Sequence, residues 1–424
     1  MLASASCSPP NRLQTNLAPL FAGRLLRSLS QGYLAIVVPL YLLALGYSAS
    51  AVGLLLAIGA GSSAVLTLGV GSLADRIGRK PVLVLFGALT AGAGVVFALQ
   101  ANYVALVIAA ALGTIGQGGG VGSGGAFGPY FVAEQALTAE LAGDARRTHV
   151  FARLSLVGTF GSIAGAGIAM APHLLRSFGY GGASSYAPLF WLTAILGLAL
   201  ALVVLPIRES KVQRVRGARP QPIAKTTWPL IRRFMVTNAT NGLAIGFLGP
   251  ILVLWFHERY GVGAAAIAQL YVAINVLSIA SYLGVTRIVR FLGGAVKTVV
   301  ALRVLSCALL ALIPLAPTFA IAGIIYAARM MLNIVTLPVR QSYAMGIVPA
   351  DERSRVSALS NFPGRVAAMG GPATAGVLIE HAWIGLPLEL AAALQLLNAG
   401  LYWIFFREIL PPEEELEALP ALQG

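Results

Sequence analysis

Residues 71–83 read Gly-Ser-Leu-Ala-Asp-Arg-Ile-Gly-Arg-Lys-Pro-Val-Leu and separate two long apolar segments. The stretch combines a small-residue helix end, an acid, a glycine that permits a tight reversal, and a basic cluster suited to lipid headgroups. A loop that only oriented the chain in a membrane would need Arg79 and Lys80. It would not need Gly71, Asp75 and Gly78 in register with them. The stretch therefore predicts a specific tight turn between two helices.

The segments on both sides of this turn are too apolar for a water-soluble protein. Of the 424 residues 58% are hydrophobic and 10% are charged, whereas a soluble domain carries about 25% charged residues. A helix that crosses a hydrocarbon core of about 30 Å needs about 20 mostly apolar residues. Such stretches lie near 18–45, 50–73, 81–100, 104–133, 150–171, 186–206, 232–256, 263–285, 298–316, 318–341, 356–379 and 384–406. We therefore predict an all-α membrane protein with twelve transmembrane helices.

The net charge of +14 is explained by membrane topology. With the amino terminus inside, Arg176 and Arg259 are the basic residues that fall in outer loops. The inner loops then hold Arg76, Arg79, Lys80, Arg146, Arg147, Arg287, Arg290, Lys297, Arg353, Arg355 and Arg407. Cytoplasmic loops are enriched in Lys and Arg, so we predict that both termini are cytoplasmic and that nucleic acid is not a partner.

The chain also divides into two similar halves. Residues 140–147 and 349–355 are acidic-then-basic turns that precede the fifth and eleventh spans, and Pro129 and Pro338 precede these turns at similar distances. We predict two pseudo-symmetric six-helix bundles, and transporters often place a binding site between such repeats. The predicted domains are the bundles 1–206 and 232–406, a basic cytoplasmic linker 207–231 and an acidic cytoplasmic tail 407–424. The linker is interpreted as a solvated topogenic loop, with contact to anionic lipid as the alternative.

Residues 71–83 closely resemble the cytoplasmic signature of the major facilitator superfamily, G-x-L-A-D-R-x-G-R-K-x-x-L, at its usual place between spans two and three. With the twelve spans, the basic linker and the repeat, the resemblance covers the whole chain, and its pattern is nearest to bacterial drug and organic-solute exporters. It implies transport by alternating access, with a gating motif at Gly71, Asp75, Arg76, Gly78, Arg79 and Lys80. In the family, the acid matching Asp75 lies against the amino end of span eleven and closes the cytoplasmic side of the outward-facing state.

Two other family patterns are incomplete here. Span four has the Gln-Gly-x-Gly run at residues 117–120, but the arginine expected ahead of it is replaced by Thr114, or by Gln117 if Pro129 anchors the comparison. Neither residue supplies the cation that many members use for proton coupling. Span five has Gly158, Gly161, Gly165 and Gly167 without the proline of the exporter signature, and close helix packing explains such glycines equally well.

Polar residues within the spans are the candidate binding residues, because charge inside a membrane is costly and usually functional. Arg329 is far from both ends of span ten and is interpreted as a substrate or gating residue, with bonds to carbonyls as the alternative. Arg24, Arg27 and Arg365 lie closer to the cytoplasm, where they reach headgroups more easily, and a structural role is favoured for them. The substrate-binding candidates are Arg27, Gln31, Tyr33, Gln117, Asn238, Asn241, Asn275, Tyr326, Arg329 and Asn333. Any of the neutral ones is equally suited to joining helices.

Glu134, near the cytoplasmic end of span four, is the candidate for proton coupling. Burial raises the pKa of a carboxyl group toward the working range. Pairing with loop arginines such as Arg146 is an equal alternative. Because no carboxylate is expected in the middle of a span and arginine suits carboxylates and phosphates, an anionic or neutral amphiphilic substrate is favoured.

These features predict a secondary transporter, most simply a proton-coupled exporter of small amphiphilic or anionic organic compounds. Uptake or exchange of an organic anion is the alternative, and a non-transporting receptor is a further one. We expect no enzyme activity, cofactor or metal, because the two cysteines and four histidines lack ligand spacing. We expect a multi-pass monomer in the lipid bilayer of a bacterial inner membrane, with H+ as the coupling ion and a small-molecule substrate.

The gating motif leads to a direct test. A carboxylate at a helix amino terminus is stabilised by about 0.3–1 kcal/mol, and a gate needs this stabilisation in one state only. Asp75→Asn should therefore impair transport in reconstituted vesicles while the protein is expressed at near-normal levels. Transport at the wild-type rate would contradict the gating role.

Overall fold

The computed structural model describes residues 10–99, 101–113, 115, 128–142, 147–207, 223–249, 251–283, 285–349 and 352–409. These ranges are almost entirely helical and contain no strand. The helices are α1 (Pro10–Ala44), α2 (Ala49–Ile77), α3 (Arg79–Leu99), α4 (Tyr103–Gly113), α5 (Gly128–Ala142), α6 (Arg147–Ile168), α7 (Ala171–Ser177), α8 (Ala187–Val204), α9 (Trp228–Gly246), α10 (Ile251–Tyr260), α11 (Ala264–Leu283), α12 (Val285–Leu292), α13 (Ala295–Leu312), α14 (Phe319–Gly346), α15 (Arg353–His381) and α16 (Leu386–Phe406).

The helices follow the predicted spans closely, and the predicted fold class is confirmed. In the described part of the chain, nine helical segments are long and apolar enough to cross a membrane, and Tyr103–Gly113 and Ala264–Ile279 are shorter apolar helices. Predicted span four comprises α4 and α5, between which most residues lie outside the described ranges. Predicted span seven comprises α9 and α10. The helix is interrupted at residues 247–249, just before Pro250. This is expected, because proline disfavours helical geometry in the residue that precedes it.

The first compact unit consists of Met1–Gly46, Ile58–Arg214 and Ala264–Gln269. In it α1 packs on α6 and α8, and α3 packs on α8. A buried apolar cluster at one end of this unit includes Phe86, Tyr130 and Leu137. The first, third, fifth and sixth predicted spans thus build the frame that holds α5.

The second compact unit consists of Tyr47–Ala57, Val215–Gly263 and Leu270–Gly424. Here α9 packs on α15 and α16, while α13 packs on α14 and α16. Phe234 stacks on Phe406 with ring centroids 4.7 Å apart, beside Tyr343 and Tyr402. These helices are spans seven, nine, ten, eleven and twelve. Span seven packs on span eleven and span nine on span twelve, just as span one packs on span five and span three on span six in the first unit. The pairing supports a duplication, and the domain boundaries at 206, 232 and 406 stay predictions.

Small residues allow the closest helix pairs to form. A Cβ added at Gly161 of α6 would lie 2.9 Å from the backbone oxygen of Leu25 in α1, and one at Gly364 of α15 would lie 2.6 Å from that of Asn238 in α9. Both distances are shorter than the ordinary van der Waals separation between a Cβ atom and an oxygen atom. Gly161 therefore has a packing role, in line with the packing explanation for the span-five glycines, whereas Gly167 has nothing within 4 Å of its added Cβ.

The α9–α15 contact can be tested with two alanine substitutions in one helix. Gly364→Ala should lower the unfolding temperature of the purified protein, because overpacking costs about 1–3 kcal/mol. Gly370→Ala is the matched control, since its Cβ would meet nothing within 4 Å and alanine favours helix. Equal melting temperatures for the two variants would show that the close approach is unimportant.

Candidate functional site

The first unit contains a buried group of two arginines and one glutamate. The Nη2 atom of Arg24 in α1 lies 3.1 Å from Oε2 of Glu134 in α5, and the two side chains are 5% and 0% exposed. Arg27, one turn further along α1 and buried, is also an electrostatic neighbour of Glu134. The guanidinium groups of Arg24 and Arg27 lie over the rings of Phe131 and Tyr130, at 4.7 and 5.0 Å from the ring centroids.

This arrangement differs from one expectation drawn from the sequence. Arg24 and Arg27 do not extend to headgroups, because both are 4% exposed and face α5. Glu134 pairs with Arg24, while Arg146, the loop arginine expected as an alternative partner, lies outside the described residues. Position along α1 suggested access to the surface. The three-residue spacing places both side chains on one helix face, and that face is turned inward.

The carboxylate of Glu134 has unused hydrogen-bond acceptors. Within the described part of the chain, neither of its buried oxygens accepts a hydrogen bond, although Oε2 forms the ion pair with Arg24. A buried carboxylate with a free oxygen is suited to taking up a proton, and the paired guanidinium is suited to binding an anion when that proton neutralises its partner. The group is therefore a candidate for binding a proton and an anion.

The gating motif forms the expected tight turn. Helix α2 ends at Ile77, Gly78 has a φ of +96°, and α3 begins at Arg79. The positive φ explains why glycine is required there. Nη1 of Arg79 donates to the backbone oxygen of Ala136 at 3.0 Å and pairs with Glu140, so the turn is joined to α5.

The remaining motif residues are less informative. Arg76 is exposed and Lys80 is half-buried. Gly71 and the side chain of Asp75 lie outside what the structure describes, so the contact of Asp75 with span eleven stays a prediction.

The other end of α2 shows a similar helix-end interaction. Within the second unit, the backbone N–H of Ser50 donates to Oε2 of Glu380, in the last turn of α15, at 2.9 Å. This hydrogen bonding from Ser50 lowers the pKa of the Glu380 carboxyl group. A Cβ added at Gly53 would lie 3.1 Å from the Cα of Gly376. Glu380 thus interacts with the start of α2 as Asp75 is expected to interact with the start of α15.

A second polar network lies inside the second unit and centres on Arg303 of α13. Its Nη1 donates to Oδ1 of Asn241 in α9 at 2.6 Å and to Oδ1 of Asn398 in α16 at 2.5 Å. Asn398 in turn donates to the backbone oxygen of Thr237 at 2.5 Å. Arg303 is 3% exposed. One guanidinium therefore ties three helices together.

Arg329 of α14 belongs to the same region. It is 3% exposed, and its Nη2 donates to Oε1 of Gln395 at 3.3 Å, one turn before Asn398 in α16. Its guanidinium carbon lies 5.9 Å from the ring centroid of Tyr326. Asn333, one turn further along α14, donates to the hydroxyl of Ser306 at 3.1 Å. Arg329 is buried as the sequence predicts, while its role in substrate binding or gating stays a prediction.

The other predicted binding residues mostly join helices or bond their own helix. Tyr33 shares a 2.7 Å hydrogen bond with Thr193. Asn238 donates to the backbone oxygen of Ser360 at 2.9 Å, and Asn275 donates to that of Tyr271 at 2.8 Å. Gln31 is buried beside this frame, and Gln117 lies outside the described residues.

The sequence reasoning overlooked Arg303, Gln395 and Asn398. Two signals pointed to them. Arg303 lies near the middle of an apolar span, where charge is rare, and Gln395 and Asn398 are three residues apart in another span. Polar residues at this spacing share a helix face and indicate an inward-facing stripe.

Comparison with known proteins gives one family and many structural neighbours. A sequence model of the Major Facilitator Superfamily matches residues 20–372. An uncharacterised membrane protein of Saccharomyces cerevisiae is 23% identical over 405 residues, covering 87% of this chain and 88% of the yeast protein.

The solved structures that resemble the chain are transporters. A bacterial homologue of the human lysosomal transporter Spinster has a TM-score of 0.71 at 13% identity, covering 94% of this chain and 98% of that one. A D-xylose–proton symporter has a TM-score of 0.71 at 15% identity, with 92% and 98% covered. The human organic anion transporter MFSD10 has a TM-score of 0.62 at 17% identity, with 93% and 100% covered. At these identities the likeness concerns the fold alone.

The buried pair can be tested by a double-mutant cycle. Arg24→Gln and Glu134→Gln should each destabilise the protein, and the double variant should lose less than the sum, with a coupling energy of about 1–3 kcal/mol. Arg79→Gln and Glu140→Gln form the control cycle, because that pair is partly exposed and such pairs contribute about 0–1 kcal/mol. The measurement is denaturation of the purified protein, and additive effects at Arg24 and Glu134 would refute the pair's contribution.

Proposed function

The chain belongs to the major facilitator superfamily, and from this premise we propose that it is a proton-coupled secondary transporter of small organic anions that works by alternating access. The protein is a multi-pass membrane protein with the fold of known transporters. The observation that carries the proposal is the buried group of Arg24, Arg27 and Glu134, in which one carboxylate faces two guanidinium groups.

The charge of this group supports coupling between a proton and an anion. When Glu134 is ionised, its negative charge compensates the positive charge of the two arginines. With Glu134 protonated, both guanidinium groups are available to a carboxylate or phosphate, which arginine binds in bidentate fashion. A ligand shifts an equilibrium only by its different affinity for the two states. An anion that prefers the protonated state therefore promotes proton uptake, and the proton promotes anion binding by the same factor.

This reciprocity bears on the direction of transport. A proton and an anion that bind together also cross together, and an inward proton gradient then drives uptake. Export in exchange for protons, the first hypothesis from the sequence, needs the proton and the substrate to compete for one group. The charge of the site favours cooperation for an anionic substrate, so we place the uptake of an organic anion ahead of the export of an amphiphile.

The Arg79 turn and the helix ends supply the conformational part of the proposal. Asp75, near the end of α2, is expected to face the amino terminus of α15, and Glu380, in the last turn of α15, accepts from the amino terminus of α2. We propose that each interaction is favourable in one state. We propose a monomer in a bacterial inner membrane with both termini in the cytoplasm, in agreement with the distribution of Lys and Arg among the loops.

The coupling is tested by transport in proteoliposomes with a panel of labelled aromatic and aliphatic carboxylates. Wild-type protein should accumulate at least one of them when an inward proton gradient is imposed. Glu134→Gln resembles the protonated carboxyl, so it should lose accumulation driven by the gradient while retaining exchange of the same anion at equal pH. Glu258→Gln, at an exposed carboxylate of α10, is the control and should behave as the wild type.

Three outcomes would contradict this proposal. Gradient-driven accumulation in Glu134→Gln at the wild-type level would exclude Glu134 as the proton carrier. Release of anion driven by the inward gradient would establish exchange instead of joint movement. A panel without any transported anion would exclude the substrate class.

A further inference from the structure

We propose that the interior of the second unit binds a small anion at Arg303 and Arg329, between α9, α13, α14 and α16. This inference goes beyond the proposed function, because the Arg24–Glu134 pair lies in the other unit and takes no part in it. The ligand chemistry is that of a compact anion, either a free inorganic ion or the anionic group of a transported solute.

The first argument is an excess of buried positive charge. The electrostatic neighbours of Arg303 are Arg329 and Arg340, together with Cys307 and Tyr402. Those of Arg329 are Tyr326 and Cys307. No described carboxylate is among these neighbours, and the sequence contains no Asp or Glu between Glu258 and Asp351. The first unit, by contrast, places Glu134 between its two buried arginines.

The second argument is the incomplete hydrogen bonding of both guanidinium groups. The Nε atoms of Arg303 and Arg329 are buried and donate to no partner in the described part of the chain. The side chains that do accept from them are the neutral amides of Asn241, Asn398 and Gln395 and the thioether of Met330. Amide oxygens satisfy donors but cannot neutralise charge.

Neither loss of a proton nor a buried water compensates the positive charge of Arg303 and Arg329. Arginine stays protonated in proteins, so the groups cannot become neutral by losing a proton. A buried water would accept a hydrogen bond from an Nε atom but would leave the charge uncompensated. A charge in a membrane interior usually pairs with another charge or with backbone carbonyls, and in the described part of the chain neither guanidinium donates to a backbone carbonyl. An anion supplied from solution meets both requirements, since it neutralises charge and accepts from the free donors.

The experiment measures the thermal unfolding of the purified full-length protein at constant ionic strength. Sodium gluconate, whose anion is bulky, is replaced stepwise by sodium chloride, sodium acetate or inorganic phosphate. The wild type should show a saturable rise in Tm of about 2–4 °C with at least one compact anion. Arg303→Gln should lose this rise. Arg290→Gln, at an exposed arginine of α12, should retain it.

A further variant keeps the test decisive if Arg303→Gln does not fold. Asn241→Asp places a carboxylate where the amide oxygen accepts from Arg303 and supplies the missing charge from within. Its Tm in gluconate should equal or exceed that of the wild type in the stabilising anion, and added anion should have no effect. A rise of the wild-type size in Asn241→Asp would overturn the proposal, as would a wild type that responds to none of the anions.

The two sources of the anion are distinguished by which salt acts. A rise with chloride identifies a free inorganic ion as the occupant. A rise with inorganic phosphate identifies the same source, whereas a rise with acetate alone identifies the carboxylate group of a solute. Both results support the site, and neither depends on Glu134, so a failure of the proposed proton coupling leaves this test unaffected.

Discussion

The hydrocarbon interior gives buried charge no water to interact with, and the polar architecture of this protein follows from that constraint. A charge there must meet an opposite charge or a set of strong dipoles. Glu134 meets Arg24 and Arg27, and we propose that these three groups bind a proton and an anion together. Among the described residues, Arg303 and Arg329 meet amides, a thioether sulfur and aromatic rings but no carboxylate. The two units therefore use the same residue type in opposite electrostatic situations.

The same absence of water determines how the helices associate. Lipid is as apolar as leucine, so expulsion of apolar side chains from water does not bring helices together, and close backbone approach and interhelical hydrogen bonds take its place. Gly161 lets α6 approach α1, and Gly364 lets α15 approach α9. Asn238 adds a hydrogen bond at the second of these contacts. Because α1 is held in this way, Arg24 and Arg27 face α5, and the packing of the frame positions the chemistry.

The family and the chemistry rest on different kinds of observation. The family follows from a match over residues 20–372 and a fold shared with several transporters. Those transporters carry different substrates on one architecture, so the fold leaves the substrate of this chain open. The charges of the individual sites carry that part of the argument. An arginine-rich interior favours anions, and a carboxylate paired with arginine favours linkage to a proton.

The sequence by itself determined the fold class, the positions of the spans and the tight turn at Gly78. Span length and the signature at residues 71–83 are local properties, and local properties can be read along the chain. Only the tertiary structure decided that Arg24 and Arg27 are inward, that Glu134 pairs with Arg24, and that Arg303 joins Asn241 to Asn398. In a soluble helix the apolar stripe marks the inner face. In a membrane helix the faces toward lipid and toward protein are both apolar, so the period of the apolar residues does not mark the inner face.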